Sequence, residues 1–242
     1  MSFEEVKRIA ASSRNIVFFG GAGTSTESGI PDFRSEAGLY RTRTKQAYPP
    51  EVMLSRSFFT AHTEDFYDFY RTKMIYPDAK PNAAHLALAD MERAGRLRAV
   101  ITQNIDGLHQ QAGSRSVLEL HGSVHRNHCM ICAKFFGLGH ILESVDAVPL
   151  CDECGGVVKP DVVLYEEMLD VDVLQKAVAA IAEADVLIVG GTSLTVNPAA
   201  GLVRQYRGDK LILINKASTP YDRSARFLIN DSIGKVMMAL TQ

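Results

Sequence analysis

A short apolar run, Asn15-Ile16-Val17-Phe18-Phe19, ends in a glycine-rich turn, and few folds tolerate that order. β-Branched and aromatic residues favour a buried strand. The glycines after it let backbone N–H groups approach a phosphate closely. Residues 21–34 read Gly-Ala-Gly-Thr-Ser-Thr-Glu-Ser-Gly-Ile-Pro-Asp-Phe-Arg. The G-x-G-x-x-G dinucleotide fingerprint is incomplete, because Thr26 stands at its third glycine. Taken alone, Gly21-Ala22-Gly23 also fits an ordinary tight turn between strand and helix. Asp32, Phe33 and Arg34 then place an acid, a ring and a guanidinium beside the same loop.

The rest of the chain alternates apolar strands with amphipathic helices. Residues 98–102, 117–120, 185–190 and 210–215 read as strands. Helices are expected near the N-terminus, from Pro81 to Gly95, over Val171–Ala184, over 198–207 and over Ser232–Leu240. Strands that are apolar on both faces mean a parallel sheet covered by helices. Residues 35–79 break the alternation, being polar, aromatic-rich and interrupted by prolines, with Phe66-Tyr67-Asp68-Phe69-Tyr70 at helical spacing. The expected fold class is α/β, a doubly wound Rossmann-like parallel sheet with a smaller inserted domain. Its large domain comprises 1–34, 80–122 and 160–242, and the small one a helical insert, 35–79, and a cysteine module, 123–159. Asp161–Tyr165 is expected to begin the return to the α/β pattern.

All four cysteines lie in that module, as Cys129-x-x-Cys132 and Cys151-x-x-Cys154 with residues 133–150 between. Two such turns pointing four thiolates at one ion make a closed tetrahedral zinc site, structural because no position is left for water or substrate. Disulfides and a thioredoxin-type redox pair are the alternatives. His125 and His128 flank the cluster.

The formal net charge of −2 gives no field that would gather nucleic acid or an anionic membrane. Residues 141–154 carry Glu143, Asp146, Asp152 and Glu153 without a Lys or Arg, unlike a zinc ribbon that grips nucleic acid. The N-terminus lacks the basic start and apolar core of a secretory signal, and the apolar runs are too short to span a bilayer. A cytoplasmic, monomeric protein without membrane or nucleic-acid partners is expected.

Ligands of parallel sheets bind beyond the carboxyl ends of the strands. Polar clusters follow the expected strands there: the glycine loop, Thr102-Gln103-Asn104-Ile105-Asp106, His121-Gly122, Gly191-Thr192-Ser193 and Asn215. Each alone could be a turn or a helix cap. A dehydrogenase would require the complete glycine fingerprint, which Thr26 spoils.

The chain resembles the sirtuins, the NAD-dependent protein-lysine deacylases, in their zinc-containing bacterial form. The resemblance is carried by the stretch 21–34, by T-Q-N-I-D at 102–106, and by Leu108, His109, Ala112 and Gly113. It continues through His121-Gly122, both Cys-x-x-Cys pairs, G-T-S-L-x-V-x-P-A at 191–199 and Ile214-Asn215, in the family's order. Thr24 stands where the family has an aliphatic residue, and Lys159–Glu167 ends in Tyr165-Glu166-Glu167 where the family reads F-G-E. Tyr for Phe keeps the ring, whereas Glu166 adds charge beside the peptide groove.

That resemblance implies removal of acetyl groups from protein lysines, with NAD consumed and nicotinamide, O-acetyl-ADP-ribose and free lysine released. It implies His121 as general base, with Asn104 also catalytic. Gly21, Ala22, Gly23, Thr26, Asp32, Arg34, Gly191, Thr192 and Ser193 would serve the cofactor's phosphates and riboses. Ile105, Asp106 and Phe33 would form the nicotinamide pocket, Gln103 and Asn104 would hold ribose hydroxyls, and Asn215 and Ile233 would meet the adenosine. The acetylated peptide would lie as a strand between Val163, Tyr165 and Glu166 on one side and Leu194, Val196 and Asn197 on the other. Cys129, Cys132, Cys151 and Cys154 would hold zinc. Sirtuins that favour acidic acyl groups share a Tyr-x-x-Arg pair. This chain has Tyr67-x-x-Tyr70 and Tyr70-x-x-Lys73 instead, with Arg71 out of register, so neutral acyl groups are expected.

Overall fold

Every residue of β1 (Ile16–Gly20) is buried, as its unbroken apolar sequence requires of a central strand. In this computed structural model, which describes residues 3–33, 38–39 and 48–241, β1 lies inside a six-stranded parallel sheet. Arg34 and most of the stretch 35–47 lie outside the described residues. The later strands are β2 (Leu97–Thr102), β3 (Val117–Glu119), β4 (Asn127–Cys129), β5 (Phe135–Phe136), β6 (Val158–Pro160), β7 (Val186–Gly190), β8 (Leu211–Ile214) and β9 (Phe227–Ile229). The main sheet runs β3-β2-β1-β7-β8-β9, and β5-β4-β6 form a small antiparallel sheet.

Helices α1 (Phe3–Ser12), α2 (Pro50–Met53), α3 (Arg56–Ala61), α4 (Thr63–Lys73), α5 (Ala83–Arg93), α6 (Leu108–Gln111), α7 (Leu138–Glu143), α8 (Val171–Glu183) and α9 (Ile233–Thr241) complete the chain. Successive strand residues face opposite ways. Phe18, Ile188 and Ile212 therefore pack against Val6, Leu88, Met91 and Met237 of α1, α5 and α9. Val17, Phe19, Val189 and Leu213 pack on the other face against Ala177 and Ile181 of α8. A third cluster lies away from the sheet, where Phe58, Phe59, Phe66, Tyr67 and Tyr70 meet Val124, Phe136, Ile141 and Val158. The helical insert and the cysteine module thus share one core. Arg71 ties them further, donating to the carbonyls of Ile141, Asp146 and Ala147.

Strand order reverses between β1 and β7, the kind of point where such sheets bind ligands. Gly20 is in register with both Thr102 and Gly190, and Gly190 with Ile214, so these strands end level.

Some expectations change. Asp161–Tyr165 does not return to the main sheet but forms an extended strap. The Val163 N–H donates to the His121 carbonyl at 2.9 Å and the Tyr165 N–H to that of Leu54 at 2.9 Å. Its apolar alternation reflects burial between two lobes rather than a sheet position. The helical stretch expected at 198–207 is a 3-10 helix, Ala199–Gln205. Strand β9, three residues at the sheet edge, is not among the expected strands. Among the described residues no helix is long and apolar enough to cross a membrane.

Candidate active site

Above the level strand ends opens a cavity of about 480 Å³. Gly21, Ala22, Gly23, Gly191, Thr192, Ser193 and Asn215 line one part of it. Gln103, Asn104, Ile105, Asp106, His121, Asp32 and Phe33 line the middle, and Val163, Tyr165, Glu166, Val196 and Asn197 the far side. The clusters scattered along the sequence therefore meet in one place.

Two glycine loops interlock at the first part. A Cβ on Gly23 would lie 2.8 Å from the Gly191 Cα, and the Gly23 N–H donates to the Gly191 carbonyl at 2.8 Å. Gly191 itself has φ 61°, a conformation that glycine adopts without steric cost. Gln103 Nε2 donates to Thr192 Oγ1 at 3.1 Å and Asn215 Nδ2 to the Thr192 carbonyl at 3.0 Å. Four strand ends are thereby locked together around Thr192.

A directed hydrogen-bond chain crosses the middle. Asn104 Nδ2 donates to Ser25 Oγ at 2.9 Å, and that hydroxyl donates to Asp106 Oδ2 at 2.7 Å. The other oxygen, Oδ1, accepts from the Leu108 N–H at 3.0 Å. Ser25 is buried and lines the cavity. Sequence reading did not single it out, although it lies within the glycine-rich stretch.

His121 Nδ1 lies 2.9 Å from the Gln103 carbonyl oxygen. A carbonyl only accepts, so Nδ1 carries the proton and Nε2 keeps its lone pair. Burial pushes the imidazole below its usual pKa, opposed by the backbone bond to Gln103. Gly122, with φ 75°, lets the strap close over this turn, since a Cβ there would lie 1.8 Å from the Asp161 carbonyl oxygen.

Behind the glycine loop, Asn82 Nδ2 donates to the Thr24 carbonyl at 2.8 Å, and the Asn82 N–H donates to His85 Nδ1 at 3.2 Å. His85 and His109 are buried with their rings 4.7 Å apart. Burial lowers their pKa values to about 4 and about 3.

In the small lobe the four cysteine sulfurs lie within 4.8 Å of one another. Cys129 Sγ is 3.3 Å from Cys154 Sγ, and Cys132 Sγ 3.6 Å from Cys151 Sγ. A disulfide needs about 2.05 Å, whereas tetrahedral zinc with bonds of about 2.3 Å needs sulfurs roughly 3.8 Å apart. The N–H groups of Cys132 and Ile131 point at Cys129 Sγ and, the Cys132 bond foremost, pull that thiol down to about 6. The cluster fits a structural zinc ion. The flanking histidines serve elsewhere, His128 Nδ1 on Asp161 at 2.7 Å and His125 Nε2 against the Asp106 carbonyl at 3.1 Å.

The Sir2 family model matches residues 21–198, most of the chain. The chain belongs to the Sir2 family. It is 64% identical over 233 residues to an NAD-dependent protein deacetylase of Clostridium acetobutylicum, covering 96% of this chain and 95% of that protein. It is similar to the solved structure of a Sir2 mutant with a deacetylated p53 peptide and 3′-O-acetyl ADP ribose. There the TM-score is 0.90 at 38% identity, covering 99% of this chain and 97% of the other. A Sir2 homologue–NAD complex matches with TM-score 0.88 at 39% identity, covering 98% and 92% of the two chains.

Within this Sir2 chain three expected contacts stand back from the cavity wall. Ile233 is buried in the sheet core, where a Cβ on Gly190 would strike its Cδ1 at 2.5 Å. Leu194 is buried in the core on the α8 side, and Thr26 is exposed, its hydroxyl donating to the Gly23 carbonyl at 3.0 Å. The cavity also has apolar walls that motif reading missed, including Ile30, Leu39, Leu54, Met74, Val162 and Leu164. In sequence these look like core residues, and only the juxtaposition of the two lobes gives them an open face.

Proposed function

We propose that this NAD-dependent protein deacetylase transfers the acetyl group of a modified lysine to NAD through the cavity between sheet and strap. It consumes one water and releases nicotinamide, O-acetyl-ADP-ribose and free lysine. The observation that carries the reading is the tautomer of His121, whose unprotonated Nε2 is available where the strand-end loops meet the strap.

Bound NAD supplies an electrophilic ribose carbon with nicotinamide as leaving group. Gly21, Ala22, Gly23, Thr192 and Ser193 bring backbone N–H groups and hydroxyls suited to its phosphates, and Asn215 borders the adenosine end. Asp106, its carboxylate set by Ser25 and Leu108, accepts the carboxamide N–H of nicotinamide, with Ile105 and Phe33 against the ring. Gln103 and Asn104 orient ribose hydroxyls. His121 Nε2 takes a proton from a ribose hydroxyl, while its Nδ1–H stays on the Gln103 carbonyl so that the ring does not turn. Thr26 and Arg34 serve the nicotinamide-ribose and diphosphate region, with Asp32 also toward the cofactor.

The acetylated peptide adds as a strand between Val163–Glu166 and Leu194–Asn197, taking affinity from main-chain bonds and accepting varied sequences. Zinc on the four cysteines stiffens the small lobe, which spans 35–79 and 123–159. The Rossmann-like lobe spans 1–34, 80–122 and 160–242. A thiolate metal site built from all four cysteines fits a reducing, cytoplasmic compartment.

Incubation with NAD and an acetyl-lysine peptide, followed by mass spectrometry of the nucleotide, tests the reading. O-acetyl-ADP-ribose is expected. NAD left intact beside unreacted peptide would overturn it.

A further inference from the structure

Glu166 occupies a backbone position that suits a different residue. Its φ is 74°, in the left-handed region that glycine enters freely and that costs other side chains energy. The side chain offsets this through the first turn of α3, where its carboxylate accepts from the Ser57 N–H and from Ser57 Oγ, each at 2.9 Å. Those bonds fix the carboxylate at the start of α3, and Glu166 itself borders the cavity beside Tyr165.

The adjacent carboxylate is in a different electrical state. Glu167 pairs with Arg56 at 3.3 Å and with Lys159 at 3.2 Å, and also accepts from the Leu164 N–H. Arg56 and Lys159 are thus both engaged by Glu167. Among the described residues Glu166 has hydrogen bonds only to the neutral Ser57, which orient its charge without cancelling it.

We infer that Glu166 is a specificity-determining residue, selecting acetylated peptides that carry Lys or Arg next to the modified lysine and disfavouring Asp or Glu there. The inference rests on the proposed deacetylase reading. A peptide added along the strap passes a fixed, unneutralised carboxylate. A neighbouring ammonium or guanidinium on that peptide gains attraction and hydrogen-bond acceptors, and a carboxylate meets repulsion. The charge is solvent-exposed, so the preference is modest, roughly two- to fivefold in kcat/KM between basic and neutral peptides. It shrinks as salt rises.

The test measures kcat/KM on acetyl-lysine peptides differing only in having Lys, Ala or Glu beside the modified residue. Wild type is compared with Glu166→Gln and Glu166→Gly, at low and high salt. Gln keeps an acceptor for Ser57 without the charge, and Gly suits the backbone if Gln proves unstable. The ratio between peptides is the readout, so a change in absolute rate does not disturb it. The order Lys, Ala, Glu in wild type, flattened by either substitution and by salt, is expected. Equal rates in wild type, or a ranking that survives both substitutions, would overturn the inference. Failure of every peptide to react with NAD would instead overturn the deacetylase reading.

Discussion

The Nδ1 atom of His121 faces the backbone oxygen of Gln103 at 2.9 Å, so the residue just after β2 sets the tautomer of a side chain that follows β3. Replacing His121 by Ala is expected to lower deacetylation by about 10²–10⁴, the usual value of a general base. NAD binding and thermal stability should stay near wild type. Burial lowers the imidazole pKa, so the acid limb of the kcat/KM profile should lie below the usual value of about 6.5. A variant retaining most of its turnover would remove His121 from the reaction.

His85 and His109 are expected to make the fold acid-sensitive. In the unfolded chain both take protons near pH 6.5, whereas in the fold they do so only at about 4 and about 3. Between those limits the unfolded state binds more protons, so stability falls as pH drops below about 6.5. The slope is on the order of 1 kcal/mol per pH unit for each histidine. Urea midpoints from pH 7.5 down to 5 measure it, and His109→Phe should show a shallower dependence. A midpoint constant over this range would contradict neutral burial of the pair.

One zinc per chain is expected on Cys129, Cys132, Cys151 and Cys154. Chelation should lower activity by loosening the lobe whose core Cys129 and Cys151 join, not by removing a reacting ion. Elemental analysis with circular dichroism before and after chelation distinguishes the two. Metal-free protein of full stability would refute a structural ion.

Acetyl-lysine is expected to be preferred over succinyl-lysine. Tyr67 donates to the Val158 carbonyl, Tyr70 is buried, and the Arg71 guanidinium is spent on three carbonyls of the cysteine module. None of them offers the fork that an acyl carboxylate needs, and desolvating it unpaired costs several kcal/mol. Lys73 does line the cavity. A succinyl preference in matched kcat/KM measurements, abolished by Lys73→Ala, would assign the carboxylate to that ammonium instead.

Much of the site was legible because its chemistry is local. Gly21-Ala22-Gly23, Thr102–Asp106, His121-Gly122 and Gly191–Ser193 each follow an apolar strand, and parallel strands present their carboxyl ends on one edge. The side chain of Ile233 turns into the core, which its place beside a functional loop does not reveal, because Gly190 leaves it that space. Ser25 was missed because a hydroxyl in a polar loop carries no signal of its partners, which lie 79 and 81 residues away.

The sequence by itself determined the sheet, through strands apolar on both faces, and the metal cluster, through paired thiols at fixed spacing. Both depend on residue order over short distances. Tertiary structure alone decided which nitrogen of His121 is free, where the strap runs, and that among the described residues Glu166 bonds to Ser57 while Glu167 pairs with Arg56 and Lys159. Those outcomes depend on partners brought together from distant segments, and hydrogen-bond direction and charge pairing are settled only when the segments meet.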